Sequence, residues 1–409
     1  MPSSPHTPIP PPNGFRWLIL AGVWLIYAGF GLVVTSLAPL VAPIQTELGL
    51  SHSAMGSVLG AWQLIYIVSA VPCGLLLDRL GVRAALTLAA VIIAASAFGR
   101  AMAFDYWSLL FAVMVFGLGG PIVSAGAPKV IAHWFTGADR GFAMGVYLTG
   151  PSIGGVISLT LTHSVLLPAF GGQWRSVLIS WAGVALLAGA SWWFLAGTRR
   201  ARANSPDAGP DTPTPQRQTI RQLLASPAVR LVMLMSVGVF MFNHGLNNWL
   251  PELLRRDGMT AINAGYWASI PTIVGILGSL TIPRLAIPGR RFRILMILSI
   301  AALIASLLLH FQAPVPLFTG LMMQGVARSA LMTVLILTLV ELPDIGPSRA
   351  GTAAGLFFSA AEIGGVMGPL GLGALYDLTG SFDAGLFLLS AVSVLLIVGV
   401  SRLERAARG

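Results

Sequence analysis

Twelve stretches of this chain are long and apolar enough to cross a bilayer, and they leave little sequence for anything else. A membrane-crossing helix needs about 20 mostly apolar residues. The stretches that qualify are 17–41, 53–77, 84–104, 107–131, 141–165, 176–197, 228–251, 263–287, 293–311, 315–341, 351–375 and 384–401. Of the 409 residues, 56% are hydrophobic and 9% charged, against about 25% charged in soluble domains. No single aqueous core can bury that much apolar surface, so the solvent is lipid.

The links between stretches are short, with one exception. Residues 198–227 carry Arg199, Arg200, Arg202, four prolines before Gln216, and then Arg217 and Arg221. This polar linker divides six spans from six. The organisation expected is a disordered cytoplasmic tail over 1–15, a six-helix bundle over 16–197, the cytoplasmic linker 198–227, a second bundle over 228–402 and a short tail over 403–409. The first apolar stretch is too long for the apolar region of a secretion signal and reads as a retained span.

The formal charge is +10, and all but one of the 24 basic residues are arginine. They lie in the short links rather than on one polar face, which argues against nucleic acid. With the N-terminus in the cytoplasm, nineteen fall on or near that side. Arg100, Arg175, Arg255 and Arg256 fall outside, and Arg328 lies within a span. The positive-inside rule selects this orientation, with both termini cytoplasmic. Cys73 is the only cysteine, which excludes an intrachain disulfide and a cysteine metal cluster. It reads as a small packing residue. No metal site and no cofactor is expected, and the spacings of nucleotide-binding loops are missing outside the spans.

The two halves resemble each other. At an offset of 210, Gly141, Gly145, Gly154 and Gly155 align with Gly351, Gly355, Gly364 and Gly365, and Tyr147 aligns with Phe357. A repeat after six spans fits a carrier built of two parallel halves, with its site near the bilayer midplane.

Between the second and third spans stands Gly74-Leu-Leu-Leu-Asp78-Arg79-Leu-Gly81-Val-Arg83. Gly74 permits close helix approach, and Gly81 supplies a turn. Asp78 can accept hydrogen bonds from a neighbouring helix N-terminus or pair with an arginine. The positive-inside bias explains the arginines but not the aspartate or the glycine spacing. This loop resembles the signature loop of the major facilitator superfamily, where it acts as a latch that stabilises one conformation. The copy in the second half, Pro288-Gly289-Arg290-Arg291-Phe292-Arg293, has no aspartate.

Other motifs fit the same resemblance. Gly150-Pro151-Ser152-Ile153-Gly154-Gly155 in span five resembles a superfamily motif associated with antiporters; the bland reading is a tight helix crossing without directional meaning. Span four keeps Gly117 and Gly119 but has Val113 where many proton-coupled members carry arginine. Proton coupling through that position is not expected.

Two charges lie deep in the membrane. Arg328 is about a dozen residues into span ten and Glu362 about a dozen into span eleven. At about 1.5 Å per residue both reach the bilayer centre. A charge there costs about 2.5–3.5 kcal/mol on insertion scales, so both must face the protein interior or a wet cavity. Arg328 can bind an anion through its planar fork. Glu362 can exchange a proton. The structural alternative is a permanent ion pair between them. Further candidates for the solute site are Tyr27, Gln63, Tyr66, Tyr147, Gln324, Asn243 and Asn247. The run Asn243–Trp249 also suits a membrane interface. Lys129, the only lysine, is expected to snorkel to the surface.

The reading is an all-α membrane protein of twelve transmembrane helices in two pseudo-symmetric six-helix bundles. The resemblance implies a secondary active transporter in a bacterial inner membrane, monomeric, working by alternating access with proton or solute coupling. Arg328 favours a small organic anion, and the sequence is similar to the branch carrying cyanate, nitro compounds and small anions. Proton-driven drug efflux is the second reading. A non-transporting membrane sensor or scaffold is a third, and no enzymatic activity is expected.

Overall fold

The computed structural model describes residues 14–203, 216–287, 289–342 and 345–408. The expected tail up to Asn13 and the middle of the linker lie outside these residues. Among those described, eleven continuous helices have the length and hydropathy of a membrane crossing. One of them, His52–Ala101, is 50 residues long and broken at Gly81, where φ is +71° and ψ is 160°. A side chain is strained at that φ, which explains the glycine. The break makes a hairpin. Gly126 of the following helix packs on both Leu77 and Leu86, and its Gly117 and Gly119 pack on Ile65 and Ile93. The eleven helices are therefore twelve crossings.

We number them α1 (Phe15–Thr35), α2 (52–80), α3 (82–101), α4 (Tyr106–Trp134), α5 (Gly137–Leu161) and α6 (Trp174–Ala196). The second half comprises α7 (Pro227–Arg256), α8 (Ala261–Leu285), α9 (Arg291–Leu308), α10 (Pro314–Val340), α11 (Gly346–Thr379) and α12 (Asp383–Arg408). The shortest, α9, has 18 residues and spans about 27 Å, close to the hydrocarbon thickness. The expected tail after 402 is instead the last turns of α12. The expected linker carries short helices at Arg199–Ala203 and Gln216–Ala225. Twelve crossings put the start of α1 and the end of α12 at one end of the molecule, here the termini end. The opposite end is the far end.

Helix starts follow their caps. The Ser51 hydroxyl accepts the Ala54 N–H at 3.1 Å to open α2. Asp105 and Ser108 cap each other's backbone at α4, at 2.8 and 3.0 Å. The Ser108 hydroxyl, donating to the Asp105 carboxyl at 2.6 Å, and then the Ser108 N–H hold that carboxyl below its usual range.

Within each half, glycines set the closest approaches. A methyl group on Gly154 would strike the Ala28 carbonyl, and one on Gly31 the Pro151 backbone, so α1 and α5 touch backbone to backbone. In the second half Gly364 meets the Val237 carbonyl and Gly368 the Met241 carbonyl, joining α7 to α11. Gly154 and Gly364 are partners at the offset of 210, so the sequence repeat is a repeat in space.

The halves meet chiefly toward the far end. Gly56 of α2 packs on Pro369 of α11, Gly60 on Val366, and Gly373 on the backbone of His52. Gly265 of α8 packs against the Leu159 carbonyl of α5. Toward the termini end the glycine contacts thin out: Gly145 meets Leu280 at 3.5 Å, and Gly355 faces open space.

Candidate substrate and coupling site

Between the halves lies a cavity of about 160 Å³, walled by Phe30, Trp62, Ser152, His244, Asn247 and Arg328 among others. Each of α1, α2, α5, α7, α8 and α10 contributes to its wall. Arg328 supplies its charge. The guanidinium Nη1 donates to Asn247 Oδ1 of α7 at 2.5 Å and to Thr272 Oγ1 of α8 at 3.0 Å. Both partners are neutral acceptors. They orient the fork and leave its charge uncompensated.

The ion pair considered between Arg328 and Glu362 is therefore not formed. The face of α10 that carries Arg328 looks toward α7 and α8; Gly275 of α8 approaches the Arg328 Cδ. Glu362 looks toward α2 instead. It is 5% exposed, and its Oε2 is buried without a hydrogen-bond partner. A Cβ on Gly365 would lie 2.8 Å from that oxygen, 3.0 Å from Gln63 Cγ and 3.4 Å from Gln63 Nε2. Gln63 and Glu362 thus crowd one point of the interface. Gln63 is fully buried, its Nε2 lies 3.3 Å from His244 Nδ1 of α7, and its Oε1 has no partner. The Trp62 ring meets the His244 ring edge-on at 5.9 Å.

Of the other candidates, Asn247 joins the site through Arg328, whereas Asn243 does not line the cavity. Of that run, His244, Asn247 and Asn248 line the cavity. Trp249 is fully buried and donates Nε1 to the Pro369 carbonyl at 2.8 Å, so it packs α7 on α11 rather than sitting at an interface. Tyr27 and Tyr147 stack at 5.5 Å beside the cavity without lining it. Tyr27 and Tyr66 share Ser124 as a polar neighbour. Gln324 is 1% exposed with an unpartnered Oε1, also away from the lining.

The Gly74–Arg83 loop lies at the termini end and departs from expectation in two ways. A Cβ on Gly74 would meet nothing within 4 Å, so no helix presses on it in this conformation. Asp78 pairs with Lys129 Nζ of α4 at 2.6 Å, not with a helix end or an arginine. The lysine read as a snorkelling charge is thus the partner of the loop. Arg83 lies 3.8 Å from the centroid of the Trp193 ring and donates Nε to the Trp193 carbonyl at 3.1 Å. Arg79, at the end of α2, precedes the break at Gly81. The span-five glycines Gly150 and Gly154 approach the α1 backbone, Gly155 approaches Thr35, and Pro151 touches Gly31. This agrees with the helix-contact reading of that motif.

Sequence reasoning missed three residues. His244 stood in a polar run without a role. Thr272 lies in an apolar span, where a lone threonine commonly bonds its own helix. Arg100, expected on the outer side, is 1% exposed and donates to the Val33 carbonyl at 2.9 Å at the end of α1. A cation there suits the negative end of the helix dipole.

The family model of the Major Facilitator Superfamily matches residues 23–369, and the chain belongs to that family: it is a multi-pass membrane protein and a secondary transporter of a small solute. It is 27% identical over 396 residues to a quinolone resistance transporter of Acinetobacter baumannii, covering 88% of each chain. It is 25% identical over 416 residues to a hexuronate transporter of Bacillus subtilis, covering 96% of this chain and 94% of that one. Among solved structures, the fold is similar to the nucleoside transporter NupG, with a TM-score of 0.76 at 14% identity over 96% of this chain and 99% of that one.

Proposed function

We propose that the protein carries a small organic anion across a bacterial inner membrane, as a monomer, coupling it to protons by alternating access. The observation that carries the reading is Arg328. Its guanidinium faces the cavity between the halves with neutral partners only. An uncompensated charge at mid-membrane is costly, and an entering carboxylate would offset that cost through charge-assisted bonds. The similarity to a hexuronate transporter supports the same substrate class. The cavity of about 160 Å³ is below the roughly 300–1,000 Å³ common for drug-sized ligands, which favours a small solute over a drug.

Glu362 is the proton carrier in this reading, and Gly74, Asp78, Arg79, Gly81 and Arg83 form the latch. The bundles run over 16–197 and 228–402, joined by the linker 198–227. The arginine bias supports cytoplasmic termini, so the termini end faces the cytoplasm. The far-end contacts then make this conformation the inward-facing one.

The test is thermal stabilisation of the purified protein by hexuronates, other small carboxylates, inorganic anions and lipophilic cations. Stabilisation by carboxylates that is lost in Arg328→Ala is expected. Stabilisation by lipophilic cations alone would favour drug efflux, consistent with the quinolone resistance relative, and overturn the anion reading.

A further inference from the structure

On the lipid-facing side of the second half, α7 and α12 leave a groove of about 260 Å³ between them. It is separate from the central cavity, and every residue lining it belongs to α7 or α12. Two of those residues are glycines. A Cβ on Gly238 of α7 would lie 3.2 Å from Val392 Cγ1 and 3.3 Å from Leu396 Cδ2, and one on Gly399 of α12 would lie 3.0 Å from Met235 Cγ. The two helices close there because neither glycine carries a side chain. Leu234 and Leu395, which also line the groove, are 70% and 69% exposed. On spanning helices such side chains face lipid tails.

The groove ends on a cation. Its lining runs along α12 from Val392 to Arg402, a rise of about 15 Å. That is about half of the roughly 30 Å hydrocarbon core, the depth of one leaflet. Arg402 is exposed and lies toward the termini end. On α7 the exposed Arg230 stands about one turn before Leu234, on the face that lines the groove. Among the described residues no carboxylate pairs with either arginine. The positive-inside bias accounts for arginines at this end. It does not account for an apolar groove one leaflet deep that ends on one of them.

We propose that this groove holds an acyl chain of an anionic phospholipid, with the lipid phosphate bound by Arg402 and the charge of Arg230 beside it. One molecule meets the chemistry of both ends: a tail that fills apolar space one leaflet deep, and an anion at the level of the head groups. A guanidinium takes a phosphate through two parallel N–H···O bonds. Basic pockets between spanning helices select anionic head groups in the same way. Both walls belong to one half of the protein, so the site persists when the halves move apart. The lipid is then a resident ligand of the second half, outside the path of the transported solute.

The test is native mass spectrometry of the full-length protein, released from micelles that hold equal amounts of phosphatidylglycerol and phosphatidylcholine with the same chains. In the wild type, one retained phosphatidylglycerol is expected, preferred over phosphatidylcholine by roughly 30-fold if each arginine contributes about 5-fold. Arg402→Gln should lower the preference to roughly 5-fold, and the double variant Arg230→Gln/Arg402→Gln should abolish it. Leu234→Trp, whose larger ring would cover the groove, should weaken retention. Glycerol phosphate, the head group without chains, should not displace the lipid. All three altered side chains are exposed, and should a variant fail to fold, the wild-type preference and the glycerol phosphate competition still decide. Equal retention of the two lipids, a preference unchanged in the double variant, retention unchanged in Leu234→Trp, or displacement by glycerol phosphate would each overturn the proposal. So would a dimer that appears as lipid is lost, which would assign the groove to a second copy of the chain.

Discussion

Asp377 of α11 accepts the backbone N–H of His52 at 3.0 Å and of Ser53 at 2.7 Å, so a carboxylate of one half caps the first turn of α2 in the other. The Ser53 hydroxyl donates to the same carboxylate at 2.5 Å. The His52 ring stacks on Tyr376 at 3.8 Å and on Trp249 at 5.6 Å. Loss of a helix cap costs about 0.5–2 kcal/mol. Here the cost falls on one conformation only, because the cap is lost when the far end opens. Asp377→Ala should shift the equilibrium toward a far-end-open state by roughly 2- to 30-fold. Distances between spin labels at the exposed Phe104 and Gln312 would report it. An unchanged distribution would mean that the cap does not hold this end.

Arg328 offers a test of geometry against charge. Arg328→Lys keeps the charge and loses the fork. A charge-assisted hydrogen bond contributes about 1.5–3 kcal/mol. Carboxylate affinity should therefore fall roughly 10- to 150-fold in Arg328→Lys and further in Arg328→Ala, as measured by calorimetry. Equal affinities in the wild type and Arg328→Lys would show that a point charge suffices.

The glycine contacts predict a hierarchy of stabilities. Gly154→Ala and Gly364→Ala would each drive a methyl group into a facing carbonyl, and overpacking of this kind costs about 1–3 kcal/mol. Gly74→Ala meets open space and should unfold at the wild-type temperature. Thermal melts of the three variants check the order. A Gly74→Ala variant less stable than the other two would contradict it.

Asp257, just beyond α7, is held above its ordinary value of 3.8, first by burial and then by the neighbouring Asp383, against a lowering bond from Gln312. The folded protein thus binds this proton more tightly than the unfolded chain. The resulting cost to stability appears as pH rises through 3.8 and is complete above the folded value. Asp257→Asn should raise the melting temperature at neutral pH, with the gain vanishing at acid pH. A gain independent of pH would point to packing instead.

The crossings were legible because lipid requires long apolar runs, whatever the partners of each helix. The internal repeat was legible for a related reason: Gly154 and Gly364 must be glycine where two backbones touch. The burial of Arg328 and Glu362 was legible from their place in long apolar spans. Their partners were not, because rotation about the helix axis is set by packing against neighbours. That rotation turns Arg328 to Asn247 and Thr272, and Glu362 to Gln63. Lys129 was misread for the same reason, since only the fold brings α4 beside the end of α2. Trp249 was ambiguous because its composition suits a membrane interface as well as a helix contact.

Lys129 carries the chain's one ε-amino group, about one-third exposed and bound to Asp78 at 2.6 Å. An acylating reagent needs that nitrogen deprotonated and unengaged, so its rate of attack measures how often the aspartate lets go. The unaltered protein therefore contains its own chemical clock for the motion of the Gly74–Arg83 loop, readable by mass spectrometry at a single side-chain amine.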